Sequence, residues 1–165
     1  MLIGLDFDNT IASYDSLFIE IGLQYGLVKE DWQGNKQDLK DLVFLLPDGH
    51  DTWMRIQGRV YGEFMHKAEL MPGVANFLLH CKSRDIPVCI ISHKTEYGHF
   101  DTKKISLRKE ALKWMEKNNL FKDSFTTLSA DTVFFEDTRE KKVRKIFEIG
   151  CTHFIDDLEE VFQEP

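Results

Sequence analysis

The feature that most constrains this chain is a short apolar run that ends in two acids. Residues 2–5 read Leu-Ile-Gly-Leu and lead into Asp6 and Asp8, which flank Phe7. Such a run is typical of a buried strand in a parallel sheet, and the carboxyl ends of parallel strands form the ligand crevice of open α/β folds. Because side chains alternate along an extended backbone, both carboxylates point the same way and repel each other. We therefore expect a cation between them, and Mg²⁺ is the simplest candidate.

Three later segments, 88–91, 133–135 and 153–155, also have strand patterns, and helical patterns separate them. This alternation predicts a parallel sheet in a three-layer, Rossmann-like α/β fold. Between the first two strands, helical periods recur over 16–25, 37–45 and 52–65. We therefore predict an α/β core made of residues 1–13 and 71–165, with a small α-helical insertion over residues 14–70.

The bulk composition is that of an ordinary soluble protein. The formal net charge of −7 argues against unspecific binding to nucleic acid or to an anionic membrane. The three cysteines show no paired spacing and lie on apolar patterns, which indicates reduced thiols in a core. No apolar stretch approaches the roughly 20 residues that a membrane span needs, and the first strand leaves no room for a leader peptide. We expect a cytoplasmic protein that does not bind membranes, and the acidic charge disfavours nucleic acid as a partner without excluding it.

Polar residues stand at the predicted ends of the other strands. Ser92 ends the second strand along the chain, Asp156 and Asp157 end the last one, and Lys142 lies in the helix before it. At one sheet edge, these side chains with Asp6 and Asp8 supply the parts for phosphoryl chemistry: a nucleophile, an acid, a metal site and donors for phosphoryl oxygens. We favour Lys142 over Lys141 because its interval to Asp156 matches one helix, a glycine turn and a strand.

On these motifs the chain resembles the haloacid dehalogenase (HAD) superfamily, in its phosphatase branch. The matching features, in order, are D-x-D-x-T at 6–10, an apolar strand ending in serine at 89–92, Lys142, and Phe-Ile-Asp-Asp at 154–157. The helical insertion lies where that superfamily has its C1 cap. There are two departures: Asn9 replaces the usual glycine, and the chain ends soon after Asp157, so we expect a fifth strand common in the family to be missing.

The resemblance implies a mechanism for each motif. Asp6 is expected to attack a phosphate monoester and form an aspartyl-phosphate that water then hydrolyses. Asp8 would protonate the leaving oxygen, which dehalogenases do not need because halide leaves unprotonated, so this residue favours a phosphatase. Ser92 and Lys142 would stabilise the phosphoryl group. The expected activity is a Mg²⁺-dependent phosphatase that acts on a small phosphorylated metabolite.

The resemblance also implies a metal site and a phosphate site. The expected metal ligands are Asp6, Asp8, Asp156 and Asp157; because adjacent strand residues face opposite ways, we expect one of the last two to bind directly and favour Asp157. The expected contacts to substrate or phosphate are Asn9, Thr10, Ser92, His93, Lys94 and Lys142. In the insertion, Arg55, Arg59, His66 and Lys67 could meet an anionic group, although helix surface is the favoured interpretation for each one.

Two other functions stay open at this level. A phospho-acceptor domain of the receiver type also joins acids, a hydroxyl, a lysine and Mg²⁺ on an α/β sheet, but it needs no helical insertion after the first strand. A catalytically silent HAD-fold binding protein would keep the fold without turnover. The intact set of candidate catalytic residues argues against this second alternative.

Overall fold

The computed structural model describes residues 1–163 and contains a four-stranded sheet. Its strands are β1 (Ile3–Leu5), β4 (Val88–His93), β5 (Val133–Glu136) and β6 (His153–Ile155). Their order across the sheet is β5-β4-β1-β6, and all neighbouring pairs are parallel. The predicted parallel α/β sheet is confirmed. Because β1 is an inner strand, Asp6, which follows it directly, lies mid-way along the carboxyl edge.

Glycine inside β1 allows the neighbouring strands to pack closely. Gly4 pairs with Cys89 of β4 and with Phe154 of β6. A Cβ atom at position 4 would lie 2.6 Å from a ring carbon of Phe154 and 2.9 Å from Cys151 Sγ. Side chains from β6 and from the residues just before it therefore fill the space over this strand, and any larger residue would displace them.

The helix before β6 fixes the position of the candidate lysine. Helix α6 (Arg139–Ile149) begins after Thr138, whose side chain accepts a hydrogen bond of 3.2 Å from the Lys141 amide. It ends at Gly150, which has a φ of 78° and so provides the left-handed cap that glycine adopts easily. Lys142 lies in the first turn of this helix, and its side chain is buried.

The chain divides into two compact units. The first consists of Met1–Ser13, Glu69–Thr95 and the residues from Leu112 onward, and it holds the parallel sheet and α4 (Val74–Ser83). It also contains an antiparallel pair that the sequence did not predict, β2 (Ala12–Ser13) with β3 (Glu69–Leu70). These short strands lie where the chain leaves the first unit and where it returns.

The second unit consists of Tyr14–Ala68 and Glu96–Ala111. Its helices are α1 (Asp15–Gln24), α2 (Lys36–Phe44) and α3 (Gly49–Tyr61), close to the three predicted helical periods. Phe18 stacks on Trp53 with ring centroids 5.0 Å apart, within an apolar core. The predicted insertion, 14–70, does not include 96–111, and its role as a domain stays a prediction.

Helix α5 (Leu107–Lys117) begins in the second unit and ends in the first. Within residues 1–163, none of the helices combines the length and apolar character needed to cross a bilayer.

Candidate active site and metal centre

Asp6 is the buried carboxylate at the middle of the sheet edge, with 5% of its surface exposed. Its amide donates a 2.8 Å hydrogen bond to Ile155 O, which holds the end of β1 against β6. Lys142 Nζ lies 2.5 Å from Asp6 Oδ1 and 2.6 Å from Asp156 Oδ2. One buried ammonium group therefore bridges two carboxylates that belong to opposite ends of the sequence.

A third carboxylate joins this pair. Ligand oxygens of Asp6, Asp156 and Asp157 all lie within 4.8 Å of one another. We call these three acids the carboxylate cluster. Lys142 supplies one positive charge against three carboxylates, so the cluster and its lysine together carry net negative charge. Carboxylate oxygens at this spacing are the donor set that Mg²⁺ or another hard divalent cation prefers. The residues present fit such an ion.

The pKa values of these acids show the electrostatic cost of bringing them together. Burial raises the pKa of Asp6 from its ordinary 3.8 to about 7; Lys142 opposes this rise, while Asp8 and Asp156 add to it. The pKa of Asp157 is also raised, chiefly by desolvation, with a further contribution from Asp156. A bound cation would favour the ionised form of each group and reverse these effects.

Local hydrogen bonds orient the two acids that follow β6. Asp156 Oδ1 accepts a 3.0 Å bond from the Leu158 amide, and its other oxygen meets Lys142. Asp157 Oδ2 accepts a 3.1 Å bond from Asn9 Nδ2. Asn9 has a φ of 60°, a left-handed conformation that asparagine tolerates better than most residues. Both acids offer an oxygen to the cluster, so the preference for Asp157 as the direct ligand stays a prediction.

Two hydroxyl groups at this end of the first unit have no partner in the described part of the chain. Ser92 is 1% exposed, and neither Ser92 Oγ nor Thr10 Oγ1 has a hydrogen-bond partner among residues 1–163. A buried hydroxyl without a partner costs roughly 1–3 kcal/mol. Both residues are predicted phosphate contacts, and unsatisfied donors of this kind are suited to receive the oxygens of a bound anion.

Asp8 is held by a lysine that the sequence assigned to substrate instead. Lys94 Nζ lies 2.8 Å from one carboxylate oxygen of Asp8 and 3.0 Å from the other, and Lys94 is only 3% exposed. The Lys94 amide donates to Glu136 O at 2.9 Å, which continues the β4–β5 ladder. Ser92 and Lys94 are two residues apart, the spacing that puts side chains on the same face of a strand. The sequence already assigned Lys94 to the site, but no local pattern indicated Asp8 as its partner.

Two other candidates lie at the surface nearby. His93 is exposed, and its Nε2 lies 3.0 Å from Asp137 O. Lys141, the alternative to Lys142, is exposed and lies 3.7 Å from an oxygen of the Asp137 side chain. The structure therefore places Lys142, and not Lys141, against the carboxylate cluster.

Two hydrolases are among the solved structures that are similar to this chain. A HAD-superfamily hydrolase of subfamily IA, variant 1, from Geobacter sulfurreducens aligns with a TM-score of 0.54 and 12% identity over 98% of this chain and 80% of its own. The fold is HAD-like. A haloacid dehalogenase-like family hydrolase from Xanthomonas campestris aligns with a TM-score of 0.49 and 12% identity, over 99% of this chain and 78% of its own.

A third similar structure is the class C acid phosphatase from Bacillus anthracis, with a TM-score of 0.47 and 17% identity. The alignment covers 92% of this chain, which spans about half, 48%, of the length of that phosphatase. No protein-family model matches the sequence, and no curated protein gives a significant match. At 12% identity, the similarity to the Geobacter sulfurreducens hydrolase is one of fold alone.

Proposed function

We propose that the protein is a Mg²⁺-dependent phosphatase that hydrolyses a small phosphorylated metabolite through an aspartyl-phosphate on Asp6. The observation that carries this proposal is the cluster of Asp6, Asp156 and Asp157, with Lys142 Nζ 2.5 Å from Asp6 and 2.6 Å from Asp156. A nucleophilic carboxylate, two further acids for a cation and a buried ammonium group suit transfer of a phosphoryl group.

In the first step, one Asp6 oxygen attacks phosphorus as the bond from phosphorus to the ester oxygen breaks. Asp8 in its acid form gives a proton to that leaving oxygen. In the second step, water attacks phosphorus, the Asp6–phosphorus bond breaks, and Asp8 takes the proton from the water. Inorganic phosphate and the free alcohol are the products, and both acids return to their starting states.

The phosphoryl oxygens meet donors that the chain already presents. Lys142 stabilises negative charge beside Asp6, while the hydroxyl groups of Ser92 and Thr10, which have no partner among residues 1–163, supply further hydrogen bonds. Lys94 holds both oxygens of Asp8, which limits the orientations open to its carboxylate. Preorganised groups of this kind stabilise developing charge without having to reorient during the reaction.

The cation would be held by carboxylates of Asp6, Asp156 and Asp157 together with the main-chain carbonyl of Asp8. When bound, it supplies positive charge that offsets repulsion between the nucleophile and the phosphate. The nature of the metabolite and the cytoplasmic location both stay predictions.

The test measures phosphate release from p-nitrophenyl phosphate, with Mg²⁺ or with EDTA. We expect turnover only with Mg²⁺, and its loss in Asp6→Asn. Asp131→Asn is the matched control, because Asp131 is an exposed acid that precedes β5 at the opposite edge of the sheet. Turnover that persists in Asp6→Asn would contradict the proposal. A lasting phosphoprotein without turnover would favour a receiver, and the absence of both would favour a silent binding protein.

A further inference from the structure

A cavity of about 350 Å³ lies in the second unit, beside α3 and the loop that precedes α5. Its volume falls within the range of roughly 300–1,000 Å³ that small-molecule sites occupy. All its lining residues belong to the second unit, whereas the carboxylate cluster belongs to the first. Besides Tyr25, the ionisable side chains that line it are Arg55, Arg59, Glu63, His99, Asp101 and Lys103.

The loop along this cavity is tied down by its own hydrogen bonds. A bridge between Tyr97 and Ser106 closes its base. The Asp101 carboxylate accepts bonds from two amides of the loop, those of Lys103 at 2.9 Å and Ile105 at 2.7 Å. Asp101 therefore fixes the loop conformation, and each of its carboxylate oxygens already accepts one hydrogen bond from the loop.

Two glycines bring this loop against α3. A Cβ atom added at Gly98 would lie 2.7 Å from Gly58 Cα, so the two backbones meet with no room for a side chain. Beyond Gly98, Phe100 has a φ of 63°, which is unfavourable for a bulky residue, and its ring stays 47% exposed. The fold thus presents an aromatic ring beside the helix at a conformational cost of order 1–3 kcal/mol.

Cations outnumber the acids that can balance them in this cavity. The Arg55 guanidinium lies 4.3 Å from the centre of the Phe100 ring and has no carboxylate partner among residues 1–163. Glu63 is shared between Arg59 at 3.5 Å and Lys103 at 3.1 Å. The Lys103 hydrogen bond is the main cause that lowers the pKa of Glu63, so this acid is ionised and already engaged. Arg55 is left available to a ligand.

We infer that this cavity binds a small organic anion that carries a planar ring. A guanidinium that lies on an aromatic face still has N–H groups along its edge, and these match the oxygens of a carboxylate or phosphate. Tyr25 and Phe100, which also line the cavity, are 42% and 47% exposed and offer ring surface for stacking. The inference does not depend on the proposed phosphatase activity.

The test is calorimetric titration of the full chain in EDTA with four probes. AMP combines a ring with phosphate, 1-naphthoate combines a ring with carboxylate, adenosine has a ring alone, and inorganic phosphate has charge alone. We expect at least one of the first two to bind clearly more tightly than the last two. Comparison of AMP with 1-naphthoate shows whether the cavity prefers a phosphate or a carboxylate.

Three variants show whether the probe binds in this cavity or elsewhere on the protein. Arg55→Gln should weaken binding of the preferred probe by about tenfold or more, the value expected for a charge-assisted hydrogen bond. Lys40→Gln removes a cation that lies 5.6 Å from the Phe44 ring in the same unit, outside the cavity, and should leave affinity unchanged. Ser92→Ala, at the carboxylate edge of the sheet, should also have no effect. Thermal unfolding of Arg55→Gln checks that the variant is folded.

Three results would overturn the inference. The first is that neither anionic probe binds more tightly than adenosine and phosphate. The second is that Arg55→Gln, while folded, binds like the parent chain. The third is that Ser92→Ala abolishes binding and Arg55→Gln does not, which would place the probe at the carboxylate cluster.

Discussion

Replacing Asp6 with asparagine should stabilise the metal-free protein at alkaline pH, although it removes the proposed nucleophile. The reason is that burial raises the pKa of Asp6 from 3.8 to about 7. Below pH 3.8 both the folded and the unfolded chain hold the proton, and the group does not affect stability. As the pH rises, the unfolded chain loses its proton first, so the parent protein loses stability until the pH exceeds about 7.

The size of this loss follows from the two pKa values. At about 1.4 kcal/mol for each tenfold change in acidity, the gap amounts to about 4 kcal/mol at alkaline pH. The asparagine variant avoids this loss of stability because its side chain does not ionise. In the variant, Lys142 keeps Asp156 as a partner at 2.6 Å. Between about pH 5.5 and about pH 8, the advantage of the variant should grow by about 2 kcal/mol.

Urea unfolding in EDTA at both pH values measures this difference. Asp131→Asn is the control for the loss of an acid, and its free energy of unfolding should change with pH in the same way as that of the parent chain. Adding Mg²⁺ should stabilise the parent and not Asp6→Asn, because only the parent has the complete carboxylate cluster. A variant that is less stable than the parent at about pH 8, or whose advantage does not change with pH, would refute the reasoning.

Three further variants test other parts of the site. Asp8→Asn should slow hydrolysis of alkyl phosphates far more than that of p-nitrophenyl phosphate, whose leaving group needs no proton; equal losses with both substrates would rule out the acid role. Ser92→Ala should lower kcat/KM by about tenfold while urea unfolding changes little, since its hydroxyl has no partner within residues 1–163. Asp157→Asn should raise the Mg²⁺ concentration needed for half-maximal activity, and an unchanged Mg²⁺ titration would exclude it as a ligand.

The strands and the positions of the strand-end acids could be predicted because both depend on local pattern and simple geometry. Apolar runs such as residues 88–91 mark buried strands, and parallel strands bring their carboxyl ends to one edge. The same geometry brings Asp6 and Asp156 together from opposite ends of the chain. The position of Lys142 follows from the start of α6, which the Thr138 cap determines.

Other features depend on contacts that no local pattern contains. The ion pair between Lys94 and Asp8 joins two loops that are distant in sequence. Neither the charge of the lysine nor its position after the strand identifies which acid it pairs with. The segment Glu96–Ala111 groups with the second unit through contacts such as that of Gly98 with Gly58. Strands of two residues, such as Ala12–Ser13, are too short for periodicity to reveal.

Anomalous diffraction from crystals grown with Mn²⁺ tests the central claim most directly, namely that this carboxylate cluster is a metal site. The account predicts one ion bound by Asp6 and by at least one of Asp156 and Asp157, at about 2.2 Å from the carboxylate oxygens, as expected for a small hard divalent cation. An ion bound elsewhere on the protein, with the cluster empty at saturating Mn²⁺, would contradict it.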